Sequence, residues 1–206
     1  MQRSHSLSVS TRKNITSYFV DTSTIVLECQ PLFAAYEVFI AGMSDSLSLH
    51  ARVTGALCAF AGVGYFYGKG RDLSRGFFHI DSQSSERIQQ GYDFLYGAGF
   101  NLVYSPFFYF LAGSRDVKEI ALGCLGAVGI GAVNGAPMGF ALDIARDLTG
   151  IKDCERKYYP AIIKKQSSGV KKGIALAFVA ASFASVATMY ALSSDTSLET
   201  LVSVEK

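Results

Sequence analysis

Charged side chains are scarce in this chain, since only 17% of its 206 residues are Asp, Glu, Lys or Arg. A soluble domain of this size usually carries about 25% charged residues. Long stretches contain almost no charge, and 50% of all residues are hydrophobic. This composition argues against an ordinary soluble domain and favours an integral membrane protein.

Residues that build metal centres and nucleophilic active sites are also few. The three histidines, His5, His50 and His79, are scattered, and no pair of the four cysteines has the spacing of metal ligands. The sequence holds no nucleophile elbow and no phosphate loop. The glycines at 129–131 follow no strand, so they indicate helix packing. We therefore expect neither an enzyme nor a cofactor nor a bound metal.

Five apolar stretches are long enough to be predicted as membrane-spanning helices. A spanning helix needs about 20 predominantly apolar residues, at about 1.5 Å of rise per residue. The five stretches are residues 18–43, 49–68, 92–113, 120–142 and 173–192. They predict an all-α fold, a polytopic bundle of membrane helices with the lipid bilayer as its surroundings.

Basic residues distinguish the two sides of the predicted bundle. Fifteen of the 19 lysines and arginines fall in the N-terminal tail, after the second stretch or after the fourth. Lys and Arg accumulate on the cytoplasmic side of membrane proteins. We therefore expect a cytoplasmic N-terminus and a C-terminus outside. Because apolar stretches separate these basic residues, they form no single patch for nucleic acid.

Short segments recur in the two halves of the chain. Residues 39–42 (FIAG) return as 110–113 (FLAG), and Arg-Asp-Leu at 71–73 returns at 146–148. The offsets predict a duplicated two-helix unit. An even number of spans separates the copies, so they should run in the same direction, as parallel repeats do in some transporters. The fifth helix would follow the two repeats.

Three carboxylates interrupt the first apolar stretch. Asp21 and Glu28 lie seven residues apart on one helix face, and Pro31 lies between Glu28 and Glu37. Each charge would cost about 2.5–3.5 kcal/mol near the bilayer centre. Such charges tend to be functional, so we expect them to carry a proton or bind a substrate ammonium group. The alternative is that the carboxylates lie at the membrane interface. This alternative fits Asp21 and Glu37, and it fits Glu28 least.

Prolines and asparagines interrupt both halves of the predicted bundle. Pro31, Pro106 and Pro137 are predicted to break helices and so expose backbone groups to a substrate. Asn101 and Asn134 add polar groups beside two of these positions. Hydrogen bonding between helices is the alternative role for both asparagines.

Small residues occupy every fourth position of the fourth stretch, a pattern that allows two helix backbones to approach closely. The members of this stripe are Gly123, Ala127, Gly131, Gly135 and Gly139. Its partner is either another helix of the same chain or a second copy of the chain, and we expect a homo-oligomer.

Several of these residues together resemble the L-alanine exporter family of bacterial inner membranes. The resemblance covers about residues 18–150, and its most specific part is the spacing of Asp21 and Glu37, followed by Gly-Met-Ser at 42–44. The matching positions include Asp21, Thr22, Glu37, Val38, Phe39, Arg52, Arg71, Asp72, Leu73, Ser105, Pro106, Gly135, Ala136, Gly139, Leu142, Asp143 and Arg146. The resemblance implies a four-helix inner-membrane exporter driven by the proton gradient. This chain adds a basic segment at 151–172 and a fifth helix with a short tail at 173–206, while residues 1–17 form a cytoplasmic tail.

The resulting hypothesis is a secondary transporter that exports L-alanine or another small neutral amino acid. Arg52 and Arg71 would guide the substrate carboxylate. The full set of candidate substrate- or proton-binding residues is Asp21, Glu28, Glu37, Arg52, Arg71, Asp72, Asn101, Asn134 and Asp143. The alternative is a membrane interaction or assembly protein that transports nothing, in which the carboxylates merely pair with arginines.

Overall fold

The computed structural model describes the backbone of residues 2–40, 44–81, 83–111 and 117–204. Side chains are described from Asn14 to Ser193, apart from residues 41–43, 47, 82, 109, 111–116, 118, 119, 122 and 123. Nearly all of the described backbone is helical, and it contains no strand. The helices are α1 (Gln2–Ala35), α2 (Asp45–Cys58), α3 (Gly64–Phe77), α4 (Glu86–Leu111), α5 (Val117–Leu148), α6 (Ala161–Lys164) and α7 (Ser168–Val204). The predicted all-α fold is confirmed.

Three of the described helices are long and apolar enough to cross a membrane. These segments are Asn14–Ile40, Cys124–Leu148 and Ser168–Ser193, which correspond to the first, fourth and fifth predicted stretches. A helix suits this environment because it satisfies its own backbone hydrogen bonds where no water is present. The second and third predicted stretches are also helical, as α2–α3 and α4.

The helices alternate in direction between two ends of the bundle. At one end, which we call the inner end, α3 and α5 finish and α4 and α7 begin, joined by the Arg71–Asp93 and Lys171–Asp147 ion pairs. At the other, outer end, Ser48 of α2 contacts Tyr190 of α7. Helix α1 runs between the two ends and contacts α2, α3, α5 and α7.

The interruptions of the helices lie at π-helical turns. One turn, Tyr36–Ile40, follows α1, and another, Ala59–Val63, joins α2 to α3. Within the second turn Gly62 has a φ of 132°, a conformation that favours glycine because it has no Cβ.

The prediction that prolines break the helices is wrong. Helices α1, α4 and α5 continue through Pro31, Pro106 and Pro137 respectively. A proline removes one backbone hydrogen bond and crowds the preceding turn. In a long membrane helix neighbouring groups can satisfy the freed carbonyl, so the helix can continue past it.

The small-residue stripe packs against α4 of the same chain. A Cβ placed on Gly135 would meet the carbonyl oxygen of Asp93, and one on Gly97 of α4 would meet the carbonyl oxygen of Gly131. The two backbones are therefore in direct contact, as stripes of small residues permit. The packing partner of Gly131, Gly135 and Gly139 is therefore α4 of the same chain. The surroundings of Gly123 lie outside the described residues.

Candidate functional site

Arg71 anchors a buried ion-pair network at the inner end. Its side chain is only 1% exposed. Its Nε donates to Oδ1 of Asp93 at 2.8 Å, and its Nη1 donates to Oδ1 of Asp143 at 3.0 Å. Its Nη2 also donates to the carbonyl oxygen of Gly139 at 3.1 Å. Such complete pairing is what allows a guanidinium group to be buried.

A second arginine at the inner end repeats this arrangement. Arg146 of α5 donates two parallel hydrogen bonds to Asp21 of α1, from Nε to Oδ1 at 2.8 Å and from Nη2 to Oδ2 at 2.6 Å. Its Nη1 donates to Asp72 at 2.7 Å. Gly68 of α3 makes room for Asp21, because a Cβ there would lie 2.8 Å from its Oδ2.

The segment after α5 inserts a third arginine into the network. Arg156 is 2% exposed and donates through Nε to Asp143 at 2.7 Å and through Nη1 to Glu86 at 3.0 Å. It also contacts the Oδ2 of Asp93. Burial lowers the pKa of Arg156, but the carboxylates of Asp143 and Asp93 raise it by more, so it exceeds the ordinary value. Arg156 is therefore cationic at any physiological pH.

Neighbouring groups fasten the same segment to α5 and α7. Tyr159 donates to Oδ2 of Asp147 at 2.8 Å, and Lys171 pairs with that oxygen at 2.8 Å. Burial, and then the hydrogen bond to Asp147, raise the pKa of Tyr159. Burial also raises the pKa of Cys154. The segment is thus held by buried neutral groups and by paired charges.

At the outer end Glu37 is bound by Arg52. Arg52 donates from Nε to Oε2 of Glu37 at 3.0 Å and from Nη2 to Oε1 at 2.5 Å. Ser48 donates to the same carboxylate at 2.7 Å and contacts the hydroxyl of Tyr190 at 3.0 Å. The carboxylate is buried, and it links α2 and α7 to the turn that follows α1.

Glu28 differs from the other carboxylates of α1. Its Oε2 accepts a hydrogen bond from Nδ2 of Asn134 at 2.8 Å, and no described residue forms an ion pair with it. With a rise of 1.5 Å per residue, it lies about 10 Å along the helix from Asp21 and about 14 Å from Glu37. Glu28 therefore stands between the two paired ends without a cation of its own.

The structure separates residues that were expected to act together. Glu28 and Glu37 lie about 14 Å apart along the helix, and neither residue lines the two cavities at the inner end. Arg52 and Arg71 are already bound to carboxylates, so neither is free to guide a substrate carboxylate in this conformation. Asn101 donates to the carbonyl oxygen of Gly97 in its own helix and belongs to the α4–α5 contact.

Four members of the inner network are not among the predicted site residues. They are Arg75, Glu86, Asp93 and Arg156. A signal existed for Asp93, which follows Asp21 by nearly the same offset as the repeated segments. No sequence signal marked Arg156, because it lies in a basic segment with many similar residues.

Two cavities open at the inner end. The larger, of about 420 Å³, is lined by five basic and five acidic side chains, so its walls carry no net charge. The smaller, of about 240 Å³, borders Asp21 and Tyr18. Asp72, Arg146 and Lys152 line both. Within the described part of the chain, no group of His, Cys, Asp and Glu is arranged to hold a metal ion.

Comparison with known proteins finds no matching family model, no matching curated protein and no matching solved structure.

Proposed function

We propose that this chain is a secondary transporter that exports L-alanine or another small neutral amino acid across a bacterial inner membrane, driven by the proton gradient. The observation that carries the proposal is Glu28, a carboxylate within a span-length apolar helix that has no cationic partner among the described residues. The resemblance of residues 18–150 to L-alanine exporters points to the same substrate.

No described residue neutralises the charge of Glu28, so a cation from outside the protein would have to do so. An isolated carboxylate is costly in a low-dielectric region, and neutral hydrogen-bond donors, Asn134 and Cys29, offset only part of that cost. A proton or the ammonium group of an amino acid would neutralise it. Competition between these two cations at one carboxylate is a direct means of coupling proton entry to amino-acid exit.

The ion pairs of the inner end support two parallel repeats. Asp21 and Asp93 occupy corresponding positions in the two halves, as do Arg71 and Arg146. The pairing is crossed, because Asp21 binds Arg146 and Asp93 binds Arg71. A crossed pair of this kind is expected for two repeats related by a twofold axis along the membrane normal. In this arrangement α2–α3 and α4 are the second and third of five spans.

The same ion pairs provide a means of closing the transport path. Asp21–Arg146 and Asp93–Arg71 join the two repeats at the inner end, whereas Glu37–Arg52 joins α2 to the turn after α1 within the first repeat. In alternating access the two repeats would move apart at one end at a time, with Glu28 between them. The larger inner cavity, whose wall charges balance, suits a zwitterion that carries one charge of each sign.

A non-transporting membrane interaction protein is the second candidate. The extensive pairing of charges favours it, since each of the three buried arginines at the inner end is already bound to carboxylates. Such a protein would use these pairs for rigidity alone, and Glu28 would be dispensable.

Transport by Glu28 variants separates the two candidates. Purified protein in vesicles should lose gradient-driven export of labelled alanine in Glu28→Gln, because Gln retains the hydrogen bond with Asn134 but holds neither a proton nor an ammonium group by charge. If the carboxylate carries only the proton, downhill exchange of alanine should persist in Glu28→Gln. If it binds the ammonium group, exchange should fall as well.

Glu28→Asp is the matched control, because it keeps the charge and should retain measurable export. Wild-type export by Glu28→Gln at equal protein content would reject this carboxylate as the coupling group, whereas absence of export by the wild-type protein itself would favour the non-transporting candidate.

A further inference from the structure

The basic residues from Arg156 to Lys172, in the segment after α5 and the first turns of α7, fall into two groups. The first group is used inside the protein. Arg156 binds three carboxylates, and Lys171 pairs with Asp147. Lys164 donates to the carbonyl oxygen of Arg156 at 3.2 Å and lies 5.7 Å from the centre of the Tyr159 ring. These residues fix the position of the segment against the bundle.

The second group faces outward. Lys157, Lys165 and Lys172 are exposed, and none forms an ion pair with a described residue. The acids of the same segment, Asp153 and Glu155, instead line the larger inner cavity beside Arg71 and Arg75. The three outward lysines therefore carry positive charge without an ion-pair partner among the described residues.

Apolar side chains lie between these exposed lysines. Ile162 is 72% exposed and Tyr158 is 62% exposed, and Val170 is also exposed. Apolar side chains exposed to this extent lose the stabilisation that burial away from water would give them. We call the six residues Lys157, Tyr158, Ile162, Lys165, Val170 and Lys172 the lysine patch.

We propose that the lysine patch binds anionic lipid headgroups at the membrane surface. The span-length part of α7 begins at Ser168, and the patch extends from eleven residues before that point to four residues after it. Basic residues beside a span are attracted to anionic lipids by about 1 kcal/mol each. Their apolar neighbours can enter the boundary between headgroups and acyl chains, as the apolar face of an interfacial helix does.

The patch differs in chemistry from the inner cavities and does not depend on the proposed transport. Its charge is of one sign, whereas the charges lining the larger cavity balance. Lys172 lies in the first turns of α7, where a long lysine side chain can extend to the interface while its stem stays in apolar surroundings. The arrangement therefore suits an extended anionic surface in contact with hydrocarbon.

A fluorescent reporter can test this proposal because the chain contains no tryptophan. Tyr158→Trp places a single such fluorophore in the patch of the full-length protein. The protein is reconstituted in phosphatidylcholine vesicles with increasing phosphatidylglycerol that carries bromine near the top of its acyl chains. Bromine quenches tryptophan on contact, so the quenching measures how much phosphatidylglycerol gathers at the patch.

We expect strong quenching at low phosphatidylglycerol content and a large loss when the lysines are removed. Lys157→Gln, Lys165→Gln and Lys172→Gln together should raise the phosphatidylglycerol content needed for half-maximal quenching by at least about five-fold, the factor that one lysine contributes. The matched control removes three exposed basic residues outside the patch, by Lys69→Gln, Arg87→Gln and Lys152→Gln. It should leave the quenching curve unchanged.

Two results would overturn the proposal. Absence of quenching would show that the patch faces water or is covered by another protein. Equal quenching when phosphatidylcholine carries the bromine, or equal quenching in the triple Lys→Gln variant, would show that the patch contacts lipid without selecting anionic headgroups. Both composition and label are the same in the two leaflets, so the outcome does not depend on how the protein is oriented in the vesicle.

Discussion

At the scale of single residues, the charged side chains differ in whether the protein itself supplies a partner. Arg71, Arg146 and Arg156 are buried at the inner end and each binds more than one carboxylate. Removing one member of a buried ion pair leaves the other charge uncompensated, which typically costs about 3–5 kcal/mol. Glu28 has no such partner among the described residues. We therefore regard Glu28 as a candidate functional residue and the three paired arginines as structural residues.

Arg146→Gln is expected to destabilise the protein by about 3 kcal/mol, because Asp21 would remain buried without a cation. Thermal unfolding in detergent measures the effect, with Arg87→Gln at an exposed position as the control. Adding Asp21→Asn to Arg146→Gln should recover part of the loss, since the buried carboxylate is then removed and only the more exposed Asp72 has lost its partner. An Arg146→Gln protein that unfolds like the wild type would show that the pair contributes nothing.

The sequence singles out Asp21 and Glu37 as charges in an apolar stretch, and Arg71 and Asp143 through the resemblance to L-alanine exporters. It does not reveal their partners, which come from distant parts of the chain, as with Asp21 and Arg146. Pairing depends on how the helices pack, and the spacing of residues within one helix carries no information about that. The sequence predicts that Arg52 and Arg71 guide a substrate carboxylate, and in this structure both are bound to carboxylates of the protein.

At the scale of helices, the sequence predicts where the long apolar helices lie, but it does not predict where they are interrupted. The apolar stretches locate the long helices because burial in lipid requires about 20 such residues. Proline suggests breaks in α1, α4 and α5, but the strained backbone lies at Gly62, a residue with no distinguishing neighbour in the sequence. Whether a helix bends depends on the groups that replace a missing hydrogen bond, and these belong to other helices.

Gly135→Leu is expected to disrupt the contact of α4 with α5, because a side chain there would collide with the backbone of Asp93. Gly129→Leu is the matched control, since it lies on the same helix and a Cβ there would meet nothing within 4 Å. Thermal stability of the two purified variants gives the comparison. Equal stability of both variants would contradict the close approach of these helices.

At the scale of the whole molecule, α1 connects three levels of charge. Asp21 lies at the inner end, Glu28 is intermediate, and Glu37 lies at the outer end just after α1. The helix contacts four others, so its movement would affect both ends. Alternation of helix direction agrees with the order of spans that the basic residues predict. The side of the membrane on which each end lies is predicted by the basic residues alone.

Topology reporters test that order directly. Fusions after residue 80 and after residue 160 should report a cytoplasmic location, because the surrounding segments are rich in lysine and arginine. Fusions after residue 116 and at the C-terminus should report the outside. A cytoplasmic C-terminus would mean an even number of spans, and one of α2–α3 and α4 would then not cross the membrane.

Export of alanine by the purified wild-type protein tests the central claim most directly. The protein is reconstituted in vesicles loaded with labelled alanine. A pH gradient is then imposed across the vesicle membrane, and the pH of the exterior is chosen separately for each orientation that the protein can take. We expect loss of label from the vesicles that is faster than in protein-free vesicles and faster with the gradient than without it. Release at the protein-free rate under both conditions would contradict transport of this substrate by the chain.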